Sequence, residues 1–206
     1  MSNFMKLFDD MLMQGYDEEF IDKYLMNEFK RDHPRFEKVS FAQFCNDWLK
    51  SFPDDWYGDT PDDIHDIKTM YDALTLPSRS TAHSAGYDFV SPLSFMLRHN
   101  QTIMIPTGIR AYMPHDMVLM VFPRSGLGTK YQIGLCNTVG IVDADYYDAD
   151  NEGHIMLKLV NRGDDTVVIE QGQAFAQGIF LNYHTTYGDD VTTGRTGGFG
   201  STDKKR

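Results

Sequence analysis

Apolar residues at Phe4, Leu7, Phe8, Met11 and Leu12 recur at the spacing of one helical face, and Gly15 follows where such a helix would stop. A second helix is predicted from Asp17. Glu18 and Glu19 would sit in its first turn, where they complement the dipole, and Phe20, Ile21, Tyr24, Leu25 and Phe29 would be buried before Pro34. A third carries more start signals: Ser40 and Gln43 form an S-x-x-Q capping box, and Val39 and Phe44 hold the two positions of a hydrophobic staple. Its buried face would be Phe41, Phe44, Cys45, Trp48, Leu49 and Phe52, with Pro53 as the stop. The Pro, Asp and Gly of "PDDWYGDTPDD", residues 53–63, then read as a linker or acidic loop. Beyond it the period changes. "IMIPTGIRAY", "MVLMVF", "GHIMLKLVN", "DTVVIE" and "AFAQGIFLNY" are short β-prone runs punctuated by Gly, Asn, Asp and Pro, with no long helical period among them. The pattern predicts an acidic α-helical region over 1–62, an all-β domain over 63–192 with a Greek-key barrel or jelly-roll architecture, and a glycine-dense arm over 193–206.

Composition adds to this picture in three places. The hydrophobic content of 41% in 206 residues permits a real core. The net charge of −11 is uneven: residues 1–76 carry seventeen acidic and eight basic groups, the remainder thirteen and eleven. A sequence-independent nucleic-acid binder needs a basic surface to displace counterions, so neither part is expected to bind DNA or RNA. Apolar runs such as residues 117–122 are too short to cross a bilayer and the first residues lack a basic-then-apolar order, which predicts a cytoplasmic protein with no membrane partner. The two cysteines, Cys45 and Cys136, have no metal-binding spacing and are expected to be buried free thiols.

Candidate chemistry lies where the β-rich part spends polar residues and glycines. In "SAGYDFVS" Asp88 offers a carboxylate at a strand end, for which an Asx-turn is the ordinary explanation. In "PRSGLGTK" Pro123 stops the strand, while Arg124, Ser125 and Gly126 form either an anion cradle or a polar turn with a salt-bridged arginine. In "NTVGIVDADYYDADNEGH" Asp143 and Asp145 would share a face of an extended chain after Val139, Ile141 and Val142. A carboxylate at the edge of an apolar strand can orient a water and take its proton. Asn137 offers donor and acceptor to a pyrimidine edge, and Tyr146 an aromatic wall beside a sugar. The alternative is an acidic loop, Asp143, Asp145, Asp148, Asp150 and Glu152, facing solvent or calcium. Gln177 interrupts the apolar strand of "GQAFAQG", and a neighbouring backbone group is the default partner for it. The tail, with Arg195 and Phe199, is either a lid over a ligand or a free end.

Together and in this order, "AGYD", "PRSGL", "NTVGIVDADYY", the "AQ" of "GQAFAQG" and "RTGGFGST" resemble the five motifs of the trimeric dUTPases, over roughly residues 64–206. The resemblance implies a mainly β, jelly-roll-like barrel preceded by the small helical region, a homotrimer with shared active sites, and Mg²⁺-assisted hydrolysis of dUTP to dUMP and pyrophosphate. Such an activity limits uracil incorporation into DNA and supplies dUMP for thymidylate synthesis. By the same resemblance, Asp143 would orient the water that attacks the α-phosphorus. Asn137, with the backbone of Gly140, Ile141 and Val142, would read uracil, and Tyr146 would pack under the deoxyribose. Arg124, Ser125, Gly126 and Gln177 would serve the phosphates, and Asp88 would place the hydrated Mg²⁺. Phe199 would stack on the base, Arg195 would pair with the γ-phosphate, and Gly200, Ser201 and Thr202 would wrap the β- and γ-phosphates.

The sequence departs from the family pattern at three places. Ala174 stands where motif four often has arginine, the loop from Tyr147 to Glu152 is several residues longer than usual, and Arg195 lies one residue nearer the phenylalanine. A dCTP deaminase-like activity is the alternative within the same fold. A regulatory protein-binding role for the acidic helices, with Trp56 and Tyr57, is the alternative from another class, against a helical appendage that packs on the trimer.

Overall fold

The structure is a computed structural model, and it describes residues 10–17, 19–21, 23, 30–51, 64–193, 195 and 197. The linker predicted at 53–63, with Trp56 and Tyr57, and most of the first two predicted helices lie outside these residues. Two of their end signals are visible. Gly15 takes φ +87° after the helical residues 10–13, and Asp17 caps the next helix, its Oδ1 accepting the Phe20 N–H at 2.9 Å.

The protein is mainly β, with a jelly-roll-like fold. In chain order come β1 (Arg35–Lys38), α1 (Phe41–Ser51), α2 (Ile64–Ala73), β2 (Ser78–Arg79), β3 (Tyr87–Val90), β4 (Phe95–Leu97), β5 (Thr102–Pro106), β6 (Ile109–Tyr112) and β7 (Met117–Pro123). There follow α3 (Ser125–Tyr131), β8 (Ile133–Leu135), β9 (Gly140–Asp143), a 3₁₀ turn (Ala144–Asp148), β10 (Met156–Asn161), β11 (Val167–Ile169) and β12 (Ala174–Asn182). Among the described residues the strands form antiparallel sheets ordered β1-β6, β5-β10-β8, β11-β4 and β2-β3-β12-β7-β9. Strand alternation fills the core: β7 sends in Leu119 and Val121, β10 Leu157 and Leu159, β11 Val167 and Ile169. Buried Asn161 is fully used, donating to the Leu97 and Asp165 carbonyls and accepting the Gly163 N–H. No described helix is long and apolar enough to cross a membrane.

The five β-prone runs all become strands, but the region after the linker also contains α2 and α3 where no helix was expected. Each is short and half-exposed, so its apolar positions leave only a weak period. The third predicted helix forms as α1, with Phe44 and Trp48 fully buried. Leu49, expected on the buried face, is instead 74% exposed, because α1 meets the barrel along the narrower Phe44 and Trp48 line. Ser40 Oγ accepts the Gln43 N–H at 3.1 Å, which is half of the capping box. Gln43 does not return the bond. Its amide turns to Asp47, and the Ser40 N–H is taken by Glu152 at 2.7 Å. β1 was not foreseen at all. It pairs with β6 from Arg35↔Tyr112 to Lys38↔Ile109, and Val39, Phe44 and Trp48 join one apolar cluster with Ile105, Ile109 and Leu157.

Candidate active site

β7 is the spine of the site, with β9 along one edge and β12 along the other. Beside β9 a cavity of about 550 Å³ is lined by Asn137, Gly140, Ile141, Val142, Asp143, Tyr146 and Arg195, with Val121, Leu135 and Leu157 behind them. Local chain chemistry shapes its mouth. Thr138, a β-branched residue at φ +69°, turns the connection between β8 and β9, and a β-carbon at Gly140 would stand 3.2 Å from the Val121 β-carbon. β9 ends on Asp143, and the chain tightens into the 3₁₀ turn that carries Tyr146. The Tyr146 hydroxyl donates to the His154 carbonyl at 2.9 Å and accepts from the Asn151 amide at 2.8 Å. Burial, the leading cause, pushes its phenol up, so it is held as a neutral donor.

Asp143 and Asp145 are brought together across the start of the turn, and not by an extended strand. Arg195 bridges them, its Nη2 donating to Asp143 Oδ2 at 2.5 Å and its Nε to Asp145 Oδ1 at 3.1 Å, with the guanidinium 5.5 Å over the Tyr146 ring. Two carboxylates, an aromatic floor and one arginine from near the C-terminal end of the chain thus meet at the edge of an apolar-walled cavity. Asp148 and Asp150 face solvent, whereas Glu152 does not belong to a solvated acidic face, since it holds Ser40.

The second group of predicted residues gathers at the other end of β7. Arg124 Nη1 donates to Asp88 Oδ1 at 2.5 Å, and Ser80 Oγ donates to Asp88 Oδ2 at 2.8 Å. Gln177 lies opposite Asp88 in the β12-β3 pair, and its amide reaches the Pro123 carbonyl at 3.3 Å, a backbone partner as expected. Gly86 makes room for it, because a β-carbon there would come 2.6 Å from Gln177 Oε1. Ser125 and Gly126 open α3, both exposed. Ala174 sits at a register shift of β12, opposite Val90.

These two groups are separate within one chain. Asp143 pairs with Val118 and Arg124 follows the far end of β7, so at about 3.3 Å per residue they stand roughly 20 Å apart along the strand. Phe199, Gly200, Ser201 and Thr202 lie outside the described residues. Cys136, expected to be buried, is exposed because it occupies the turn after β8, at the cavity rim; Cys45 is half-buried, and both are free thiols. Met156 and Lys158 also line the cavity without any sequence signal, since in β10 they read only as alternating strand positions.

The chain matches the family model described as dUTPase over residues 72–203. It is 42% identical over 132 residues to the deoxyuridine 5'-triphosphate nucleotidohydrolase of Lactococcus lactis, covering 63% of this chain and 88% of that protein. The dUTPase of Streptococcus mutans, a solved structure, is 40% identical with a TM-score of 0.50, covering 55% of this chain and 89% of that one. A mutant dUTPase from phage phi11 of S. aureus, whose structure is described as revealing the coordination of a structural Mg(II) ion, is 19% identical with a TM-score of 0.48, covering 58% of this chain and 91% of that one.

Proposed function

The chain belongs to the dUTPase family and hydrolyses dUTP to dUMP and pyrophosphate, and from that premise we propose how its own residues divide the work. Asp143 orients a water for in-line attack on the α-phosphorus and takes its proton, while pyrophosphate departs. The observation that carries this is the position of Asp143, a half-exposed carboxylate at the rim of the apolar cavity whose floor is Tyr146. Asn137 and the backbone of Gly140, Ile141 and Val142 read the uracil edge. Tyr146, fixed by both of its hydroxyl bonds, lies under the deoxyribose and leaves no room for a 2′-hydroxyl.

Arg124, Ser125, Gly126 and Gln177 hold phosphate. Because they stand about 20 Å from Asp143 of the same chain, a complete site needs a second copy of the chain to bring its phosphate group to the first copy's Asp143. That separation supports sites shared between copies, in keeping with the homotrimer that the family resemblance implies. Arg195, bonded to Asp143 and Asp145, is placed to transfer to the γ-phosphate when dUTP enters, releasing Asp143 to hold the water. Phe199, Gly200, Ser201 and Thr202 follow as the covering arm.

Among the described residues no three His, Cys, Asp or Glu side chains form a metal cage. That suits Mg²⁺, which keeps most of its waters and travels on substrate phosphates. Asp88, already committed to Arg124 and Ser80, would reach it through water. The ion, when bound, neutralises triphosphate charge. The test is pyrophosphate release from dUTP, dCTP, dTTP and UTP in parallel, with Mg²⁺ and with EDTA, together with an assay for deamination of dCTP. Release from dUTP alone, suppressed by EDTA, is expected; deamination of dCTP would overturn the reading.

A further inference from the structure

The segment ahead of the family match makes four hydrogen bonds to the long loop that follows Tyr146, each joining residues more than a hundred positions apart. From β1, Glu37 Oε2 accepts the Tyr147 hydroxyl at 2.6 Å and the Arg110 guanidinium at 2.9 Å. At the start of α1, the Ser40 N–H and hydroxyl donate to the two oxygens of Glu152 at 2.7 and 2.6 Å. Within α1, Asp47 Oδ2 is bonded to His154 Nδ1 at 2.7 Å, and His154 is fully buried. The Gly108 N–H points at His154 Nε2, 2.8 Å away, so that nitrogen carries the lone pair and Nδ1–H donates to Asp47.

The links converge on one side chain. The carbonyl of His154 accepts the Tyr146 hydroxyl, Asn151 from the same loop donates to that hydroxyl, and Gly153 packs its Cα against the Tyr146 and Tyr147 backbone. The loop itself has only single-turn backbone bonds, such as Glu152 N–H to Ala149 O and His154 N–H to Asn151 O. Its geometry is therefore set from outside, by β1 and α1 together with Gly108 at His154 and Arg110 and Tyr112 of β6 at the Tyr147 ring. Displacements of about an ångström in a substrate-positioning group cost rate, so how this loop is held bears on the tyrosine ring.

We propose that Asp47, Ser40 and Glu37 are positioning residues for the reaction: through Tyr147, Glu152 and His154 they brace the long loop and hold Tyr146 against the sugar, setting deoxyribose-over-ribose selectivity. This rests on the placement of Tyr146 under the deoxyribose. The N-terminal segment then compensates within the chain for the extra loop length, as a structural partner of the site.

The test uses the full chain and reads kcat/KM for dUTP and for UTP. Tyr146→Ala checks the underlying placement and is expected to reduce the dUTP to UTP ratio by about ten-fold or more. Asp47→Ala is expected to lower that ratio about three- to ten-fold, while Asp47→Asn, which keeps an acceptor for His154 Nδ1–H, restores most of it. Combined with Tyr146→Phe, which unties the ring from His154, Asp47→Ala should add less than its separate effect. A ratio that falls with Tyr146→Ala yet stays within about two-fold in Asp47→Ala overturns the brace and leaves the placement standing. No change in Tyr146→Ala removes the placement and the brace together. Should Asp47→Ala fail to fold, Glu152→Ala removes both acceptors of the link at the edge of α1 and Ser40→Ala one of its two donors, and both are judged by the same ratio.

Discussion

A β-carbon at Gly153 would stand 2.6 Å from the Tyr146 carbonyl oxygen, and its φ of +67° is disfavoured for residues with a side chain. Gly153→Ala should therefore cost about 1–3 kcal/mol of stability and raise KM for dUTP, measured by thermal melting and steady-state kinetics. Asp143→Asn keeps the shape of the rim but cannot take a proton. Nucleotide binding by calorimetry should persist while turnover falls about 10²- to 10⁴-fold; turnover near the original rate would exclude Asp143 as the water-orienting group. At this scale the sequence was informative where chemistry is local. Asp143, Asn137 and Tyr146 could be singled out because they interrupt an apolar run, and Gln177 because an amide in a strand needs a partner. Asp47, Glu37 and His154 could not be found, since nothing in the neighbours of any of them signals a bond made to a residue over a hundred positions away.

The helix α1 shows how an element borrows from elsewhere. Its Ser40 cap was legible, but the returning bond comes from Glu152 and not from Gln43. The Ser40 side-chain and backbone bonds hold the Glu152 carboxyl below its usual range. For Asp47, burial raises the carboxyl, yet the bonds from His154 and Gln43 outweigh it and leave it lowered. Groups whose folded values are lowered contribute stability above the unfolded carboxylate range and lose it as pH falls through the folded one. The α1 contacts should therefore be unchanged from neutrality to about pH 5 and weaken below about pH 4. Melting temperature against pH checks this: the deficit of Glu152→Gln relative to the parent should be full at neutral pH and shrink in acid. The arm is the other element with a direct test. Ending the chain after Gly194 removes Arg195 and Phe199, and should abolish turnover while the melting temperature and the far-ultraviolet dichroism stay the same.

For the whole molecule, the spacing along β7 makes a mixing experiment decisive. Asp143→Asn and Arg124→Ala chains should each be inactive alone, and co-refolded together they should regain part of the activity, because one chain supplies an intact Asp143 and the other an intact Arg124. No recovery would mean that each site is built within one chain. The sequence by itself determined the strand runs, the cap at Ser40, the five motifs and through them the dUTPase family, because these depend on period, turn chemistry and residue types close together along the chain. Tertiary structure alone decided that β1 pairs with β6, that Leu49 faces outward, that Cys136 is exposed, that Arg124 and Gln177 stand away from Asp143, and that Glu37, Ser40 and Asp47 grip the loop beyond Tyr146. The physical reason is the range of the interactions. Periodicity and capping act over a few residues, whereas edge pairing, burial and buried hydrogen bonds are settled only when distant segments meet.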